Sequence, residues 1–133
     1  CLAAHVFNEE ITIKRIEEAK YSFETGNLRE KLAKHHGSNV DCAFWGWNNI
    51  WLNSEFKKWN IEKFLPDIKV PTLVIQGEED QYGTISQVDA IRKGIGPNVK
   101  VEIIPDCGHS PHIEKREITL GIVTQFINMI PVY

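Results

Sequence analysis

From Asn8 to about Asn60 the apolar positions recur at helical spacing, and from Ile61 onward strand-length apolar runs alternate with helical segments. In the first part Ile16, Ala19 and Phe23 share one face of a helix that Gly26 ends, with Asn8 as the expected N-cap and Glu9 and Glu10 in the first turn. Asn27 followed by Glu30 reads as a capping box for a short helix with Leu28 and Leu32 inward and Gly37 as its stop. Asp41 is the expected cap of a third helix through Leu52, whose aromatics Phe44, Trp45, Trp47 and Trp51 fall on more than one face. Ser54 and Asn60 read as caps of two last short turns before Pro66. With no strands of their own, residues 8–65 are expected to form a helical cap or lid.

The second part predicts an α/β arrangement over residues 66–133. Val70–Gln76 is a continuous apolar run with Pro71 near its start, where a strand tolerates proline. Thr84 and Gln87 form another capping-box pattern, so a helix is expected from Ile85 to Lys93, stopped by Gly94, Gly96 and Pro97. Val99–Ile104 is the next strand, which makes the helix a crossover in a right-handed βαβ unit. Ile118, Ile122, Val123, Phe126, Ile127 and Ile130 recur on one face of a closing helix packed on the sheet. Two parallel strands leave an unpaired edge on Val70–Gln76. Either Cys1–Val6 or a second copy of the chain, hence a homo-oligomer through the sheet edge, is expected to cover it. The opening Cys1-Leu2-Ala3-Ala4, without Met, reads as the middle of an apolar run: residues 1–7 look like the remnant of an earlier core strand and loop, and the chain like a fragment.

Composition narrows the partners. A net charge of −3 with Lys and Arg scattered excludes the basic footprint of a nucleic-acid binder. No apolar run approaches the ~18 residues of a membrane span, and the start lacks the regions of a signal peptide. Cys1, Cys42 and Cys107 are far apart and lack CxxC spacing, which fits a reducing, cytoplasmic setting better than a disulfide framework. Cys107, His109 and His112, and separately His35, His36 and Asp41, make loose clusters without a four-ligand zinc spacing, so no metal is expected.

The chemistry sits at the strand ends. Val70–Gln76 feeds into Gly77-Glu78-Glu79-Asp80, and Val99–Ile104 feeds into Pro105-Asp106-Cys107-Gly108-His109. Open parallel sheets place their ligands just beyond such C-terminal ends, and a carboxylate with an imidazole there is the acid and base half of a nucleophilic triad. Glu78 and Glu79 lie nearer the strand and are expected to point to solvent, which leaves Asp80.

The run Pro71-Thr72-Leu73-Val74-Ile75-Gln76-Gly77-Glu78-Glu79-Asp80, followed by Gly108-His109-Ser110-Pro111-His112-Ile113-Glu114 and an amphipathic helix, resembles the closing segment of the α/β-hydrolase fold. The resemblance covers roughly the last half of the chain, and the helical part before it sits where that family inserts a cap domain. It implies Asp80 as the triad acid and His109 as the general base of a hydrolase acting on an ester, thioester or related carbonyl, with no cofactor. The departure from the family pattern is the nucleophile. Ser22, Ser38, Ser54, Ser86 and Ser110 all lack the G-x-S-x-G flanks, so the isolated chain is expected to be inactive. In a cap, Trp45, Trp47 and Trp51 would wall an apolar or aromatic small-molecule substrate or form the cap's own core, with Tyr82 at the site mouth. His5 and Phe7 are expected near the same pocket. The alternative reading is a small non-catalytic binding or dimerisation module.

Overall fold

In the computed structural model, which describes residues 1–131, the chain forms two compact units: Asn8–Trp59, and Cys1–Phe7 together with the chain from Asn60 onward. The boundary falls between Trp59 and Asn60, not after Leu65 as the sequence led us to expect. The physical reason is burial: Leu65 is packed with Val6, Val74, Val88, Ile91 and Ile95 of the sheet-containing unit.

The helical unit contains α1 (Glu10–Thr25), α2 (Leu28–His36) and α3 (Val40–Trp51), with single 3₁₀ turns at Gly37–Asn39 and Phe56–Lys58. Its core is Phe23, Val40 and Phe44, flanked by Ala19, Leu28, Leu32 and Trp45. Helix positions agree with the apolar periodicity, but the capping does not. Glu9 occupies the N-cap of α1, while Asn8 donates through Nδ2 to the Phe56 carbonyl at 2.5 Å. Asn27 precedes α2 without a side-chain cap bond. Asp41 lies inside the first turn of α3, where it accepts two bonds from the Arg29 guanidinium at 2.9 and 2.6 Å. Asn53, not Ser54, takes the Glu55 amide at 2.8 Å. In the cases of Asn8 and Asp41 a partner distant in sequence competes successfully with the local backbone amide, since one hydrogen bond is worth about as much as the other.

In the other unit Asn60 accepts the Glu62 amide at 2.8 Å and opens the 3₁₀ stretch Glu62–Asp67. Then come β1 (Thr72–Gly77), α4 (Ile85–Ile95), β2 (Val99–Ile104), α5 (Pro111–Glu114) and α6 (Arg116–Met129). β1 and β2 are parallel, in register from Thr72 opposite Val99 to Gly77 opposite Ile104. Alternation along β1 sends Val74 to the α4 face, with Val88, Ile91 and Ile95, and Leu73 and Ile75 to the α6 face, with Ile104, Cys107, Ile122, Val123 and Phe126. Full burial of each such side chain contributes about 1.5–3 kcal/mol, so these two clusters hold the layers together. The second edge of β1 is taken by the chain start: Ile75 donates to the Cys1 carbonyl and Ala3 to the Ile75 carbonyl, both at 2.9 Å, in a parallel bridge.

Three expectations for this unit are revised. α4 continues to Ile95 because Gly94 gives Leu65 room, a Cβ there lying 2.6 Å from the Leu65 Cβ; the stop is Gly96, at φ +80°. Thr84 does cap α4, accepting the Ser86 amide at 3.2 Å, and Gln87 has a long-range role that the capping-box pattern does not reveal. It is buried and clamps residues 6 and 7, accepting from the Val6 amide at 2.8 Å and donating to the Phe7 carbonyl at 3.0 Å. Finally, only part of the expected α6 stripe is covered. Ile118 and Ile127 are 53% and 59% exposed and Ile130 is also exposed, because Ile104 is the one β2 residue in the apolar cluster on that face while Lys100 and Glu102 pair with each other at 3.1 Å. Among the described residues no helix is long and apolar enough to cross a membrane.

Candidate active site

The two turns beyond β1 and β2 are hydrogen-bonded to each other before any side chain is considered. The Glu78 amide donates to the Ile104 carbonyl and the Glu79 amide to the Cys107 carbonyl, each at 2.9 Å. So close an approach requires glycine at the end of β1: a Cβ on Gly77 would lie 2.1 Å from the Cys107 carbonyl oxygen and 2.2 Å from that of Gly108. Asp106 turns the second loop with φ +50°, and the buried Cys107 anchors it in the core, where burial raises the thiol pKa.

This docking brings Asp80 and His109 into contact. His109 Nδ1 lies 2.9 Å from Asp80 Oδ2 and 3.0 Å from Oδ1. The Asp80 side chain is 2% exposed and that of His109 34%, so the carboxylate is buried behind a ring that reaches solvent. Asp80 Oδ1 also accepts the Tyr82 amide at 2.8 Å and the Gly83 amide at 3.2 Å. Behind this loop the buried Gln76 donates to the Gly83 carbonyl at 2.7 Å. Burial opposes the charge on Asp80, but the bonds from His109 and from the Tyr82 and Gly83 amides outweigh it and hold the carboxyl below its usual range. Glu78 and Glu79 are exposed.

Among the described residues the ring of His109 has two aromatic neighbours. Tyr82 lies 4.8 Å away, centroid to centroid, and tilted; His5 lies 5.9 Å away, edge-on. His5 packs over Gly83, whose Cβ would come within 3.0 Å of the imidazole. Trp45, Trp47 and Trp51 belong to the helical unit. Trp45 meets Phe23 and Phe44 edge-on, and Trp51 meets Phe56 and Trp59. Trp47 contacts Phe44 yet stays 39% exposed. The residue for which sequence reasoning had no role is Glu114, whose carboxylate accepts the Gly108 amide at 2.8 Å and the Ser110 amide at 2.9 Å, bonds that lower its pKa. Its signal was the fixed distance from Gly-His to a carboxylate one helical turn on.

A parallel β-α-β unit with an Asp and a His paired at its strand ends is a feature of one large fold family, and the α/β hydrolase fold matches residues 18–116 of the sequence. The chain belongs to the α/β hydrolase fold. Among hydrolases of this fold, rat monoacylglycerol lipase ABHD6 is 35% identical over 74 residues, 56% of this chain and 22% of that protein. The human enzyme is 34% identical over the same length. Of solved structures, the meta-cleavage product hydrolase from Pseudomonas fluorescens IP01 superposes with a TM-score of 0.67 at 17% identity, covering 96% of this chain and 54% of that one. The esterase RhEst1 from Rhodococcus sp. ECU1013 gives 0.63 at 15% identity, covering 98% and 55%. The matched stretch is thus about a fifth of the curated relatives' length and about half that of the solved hydrolases.

Proposed function

We propose that this chain carries the acid and general base of a hydrolase that attacks a carboxylic ester, thioester or related carbonyl through an acyl-enzyme. The observation that carries the reading is the two-oxygen contact of Asp80 with His109 Nδ1. With Nδ1–H donated to a buried carboxylate, the ring is fixed in the tautomer whose Nε2 accepts a proton, and Asp80 stabilises the imidazolium that results. Nε2 takes the proton of an attacking hydroxyl and later returns it to the leaving group; water then releases the acyl group. The sequence has no G-x-S-x-G, so the attacking serine and its oxyanion hole come from polypeptide beyond these 133 residues. Likeness to a monoacylglycerol lipase favours an ester with an apolar tail. Tyr82 beside the general base is the aromatic surface we assign to such a substrate.

The test is hydrolysis of p-nitrophenyl butyrate by the polypeptide that joins this sequence to its serine. Asp80→Asn should lower kcat by about 10⁴-fold and His109→Ala by about 10⁶-fold, and the 133-residue chain alone should show no turnover. Variants within threefold of the unmodified enzyme would refute the acid and base roles. Turnover by the isolated chain, abolished by His109→Ala, would refute an external nucleophile.

A further inference from the structure

We infer that Glu114 is a positioning residue for His109: its one carboxylate holds the peptide on both sides of the histidine and so aims the imidazole at Asp80. The inference rests on the hydrolase reading for its purpose, and on geometry for its substance. One oxygen of Glu114 accepts the amide of Gly108 at 2.8 Å and the other that of Ser110 at 2.9 Å. These are the amides of the residues on either side of His109, so a single carboxylate constrains the turn whose backbone torsions set the direction of its Cα–Cβ bond. A charged acceptor makes both bonds stronger than neutral ones.

The carboxylate is itself held in place. Glu114 closes α5, and its own amide and that of Ile113 return to the Ser110 carbonyl at 2.9 and 2.8 Å. The buried Thr119 hydroxyl donates to the Pro111 carbonyl at 2.9 Å, tying α5 to α6. On the other side of the turn the Cys107 carbonyl is bound by the Glu79 amide. The His109 turn is thus pinned at residue 107 by the acidic turn and at residues 108 and 110 by Glu114. Gly108 makes room for this, since a Cβ there would lie 3.0 and 3.1 Å from the two Glu114 oxygens and 2.9 Å from Gln81 Oε1. A helix cap alone would need one amide near the start of α5; a carboxylate from its last residue that reaches back across a histidine serves the histidine.

The experiment is NMR of the histidine ring nitrogens in the isotope-labelled 133-residue chain, with Glu114→Ala, Glu114→Gln and Asp80→Asn. In the unmodified chain His109 should hold its proton on Nδ1, with slow exchange. Glu114→Ala should raise that proton's exchange at least tenfold and spread the ring over both tautomers, while the β1 and α4 amides keep their shifts. Glu114→Gln, which leaves one accepting oxygen, should fall between the two, and it decides the matter if the alanine variant does not fold. Wild-type ring shifts and exchange in the glutamine variant, or in a folded alanine variant, would overturn the inference. Asp80→Asn separates the two claims. If it leaves the Nδ1 signal intact, the acid–base reading fails. If it abolishes the signal while Glu114 substitutions do not, only the role of Glu114 fails.

Discussion

The two units of this chain specify their structures by different means. In the helical unit the decisive contacts are apolar and tolerant of small displacements: Phe23 and Phe44 stack at 3.8 Å, and Trp45 closes on both edge-on. The bond of Arg29 with Asp41 lies at a half-exposed surface where such pairs are worth little, while the buried Asn48 donates through Nδ2 to the Ile16 carbonyl at 3.1 Å and ties α3 to α1. In the α/β unit the decisive contacts are directional. Gln76, Asp80, Gln87 and Thr119 are buried polar groups, each hydrogen-bonded to backbone. A core that fills volume needs side chains of about the right size; a site that must hold a proton acceptor in place needs satisfied hydrogen bonds and glycines where backbones touch.

The contrast is broken most severely at Gly77. Gly77→Val forces a side chain into the Cys107 and Gly108 carbonyls, and a loss of more than about 5 kcal/mol is expected, enough to leave little folded protein in a denaturation experiment. Next in size is Phe44→Ala, which empties the centre of the helical core; a loss of about 3–4 kcal/mol in urea unfolding is expected, with helical circular dichroism kept in the absence of denaturant.

Asp80→Asn sharpens the difference between directional and volumetric contacts through its pH dependence. Because the folded-state pKa of Asp80 is depressed, its ionised form stabilises the fold above the unfolded-state value, and that stability is lost as pH falls through the folded-state value. A cost of about 2 kcal/mol is expected at neutral pH, shrinking progressively below about pH 4; a cost independent of pH down to about 2 would contradict it. The smallest effect has the opposite sign. Gly46 in α3 has nothing within 4 Å of the point a Cβ would occupy, so Gly46→Ala should stabilise by about 0.5–1 kcal/mol in the same unfolding assay, where Gly77 tolerates no side chain at all.

How much of this was legible depends on the range of the interaction. β1 was readable to within two residues because a buried strand needs an unbroken apolar run, and β2 to the residue because Val99, Val101 and Ile103 alternate with Lys100 and Glu102 at the strand period. The stops at Gly26, Gly37 and Gly96 were readable for similarly local reasons. Caps were legible where the partner stayed local, as at Thr84 and Asn60, and not at Asn8 and Asp41, which have short-range partners available in principle and long-range partners in fact. The α6 stripe was readable as a pattern, but its coverage was decided by Lys100 and Glu102 on a strand whose facing residues no helical periodicity reveals. Glu114 could be seen as part of a spacing; that its oxygens straddle His109 could not.

By itself, then, the amino-acid order determined the element types, the α/β class and the presence of an acid and an imidazole at the ends of consecutive strands. These follow from local periodicity and from the rule that side chains alternate along a strand. The tertiary structure alone decided that the two turns dock backbone to backbone through Gly77, that Asp80 meets His109 with both oxygens while accepting the Tyr82 and Gly83 amides, and that Glu114 binds the amides of Gly108 and Ser110. Those facts depend on which groups meet after the chain has turned back on itself, and the free energy of such meetings is set by distance and desolvation, neither of which is written along the chain.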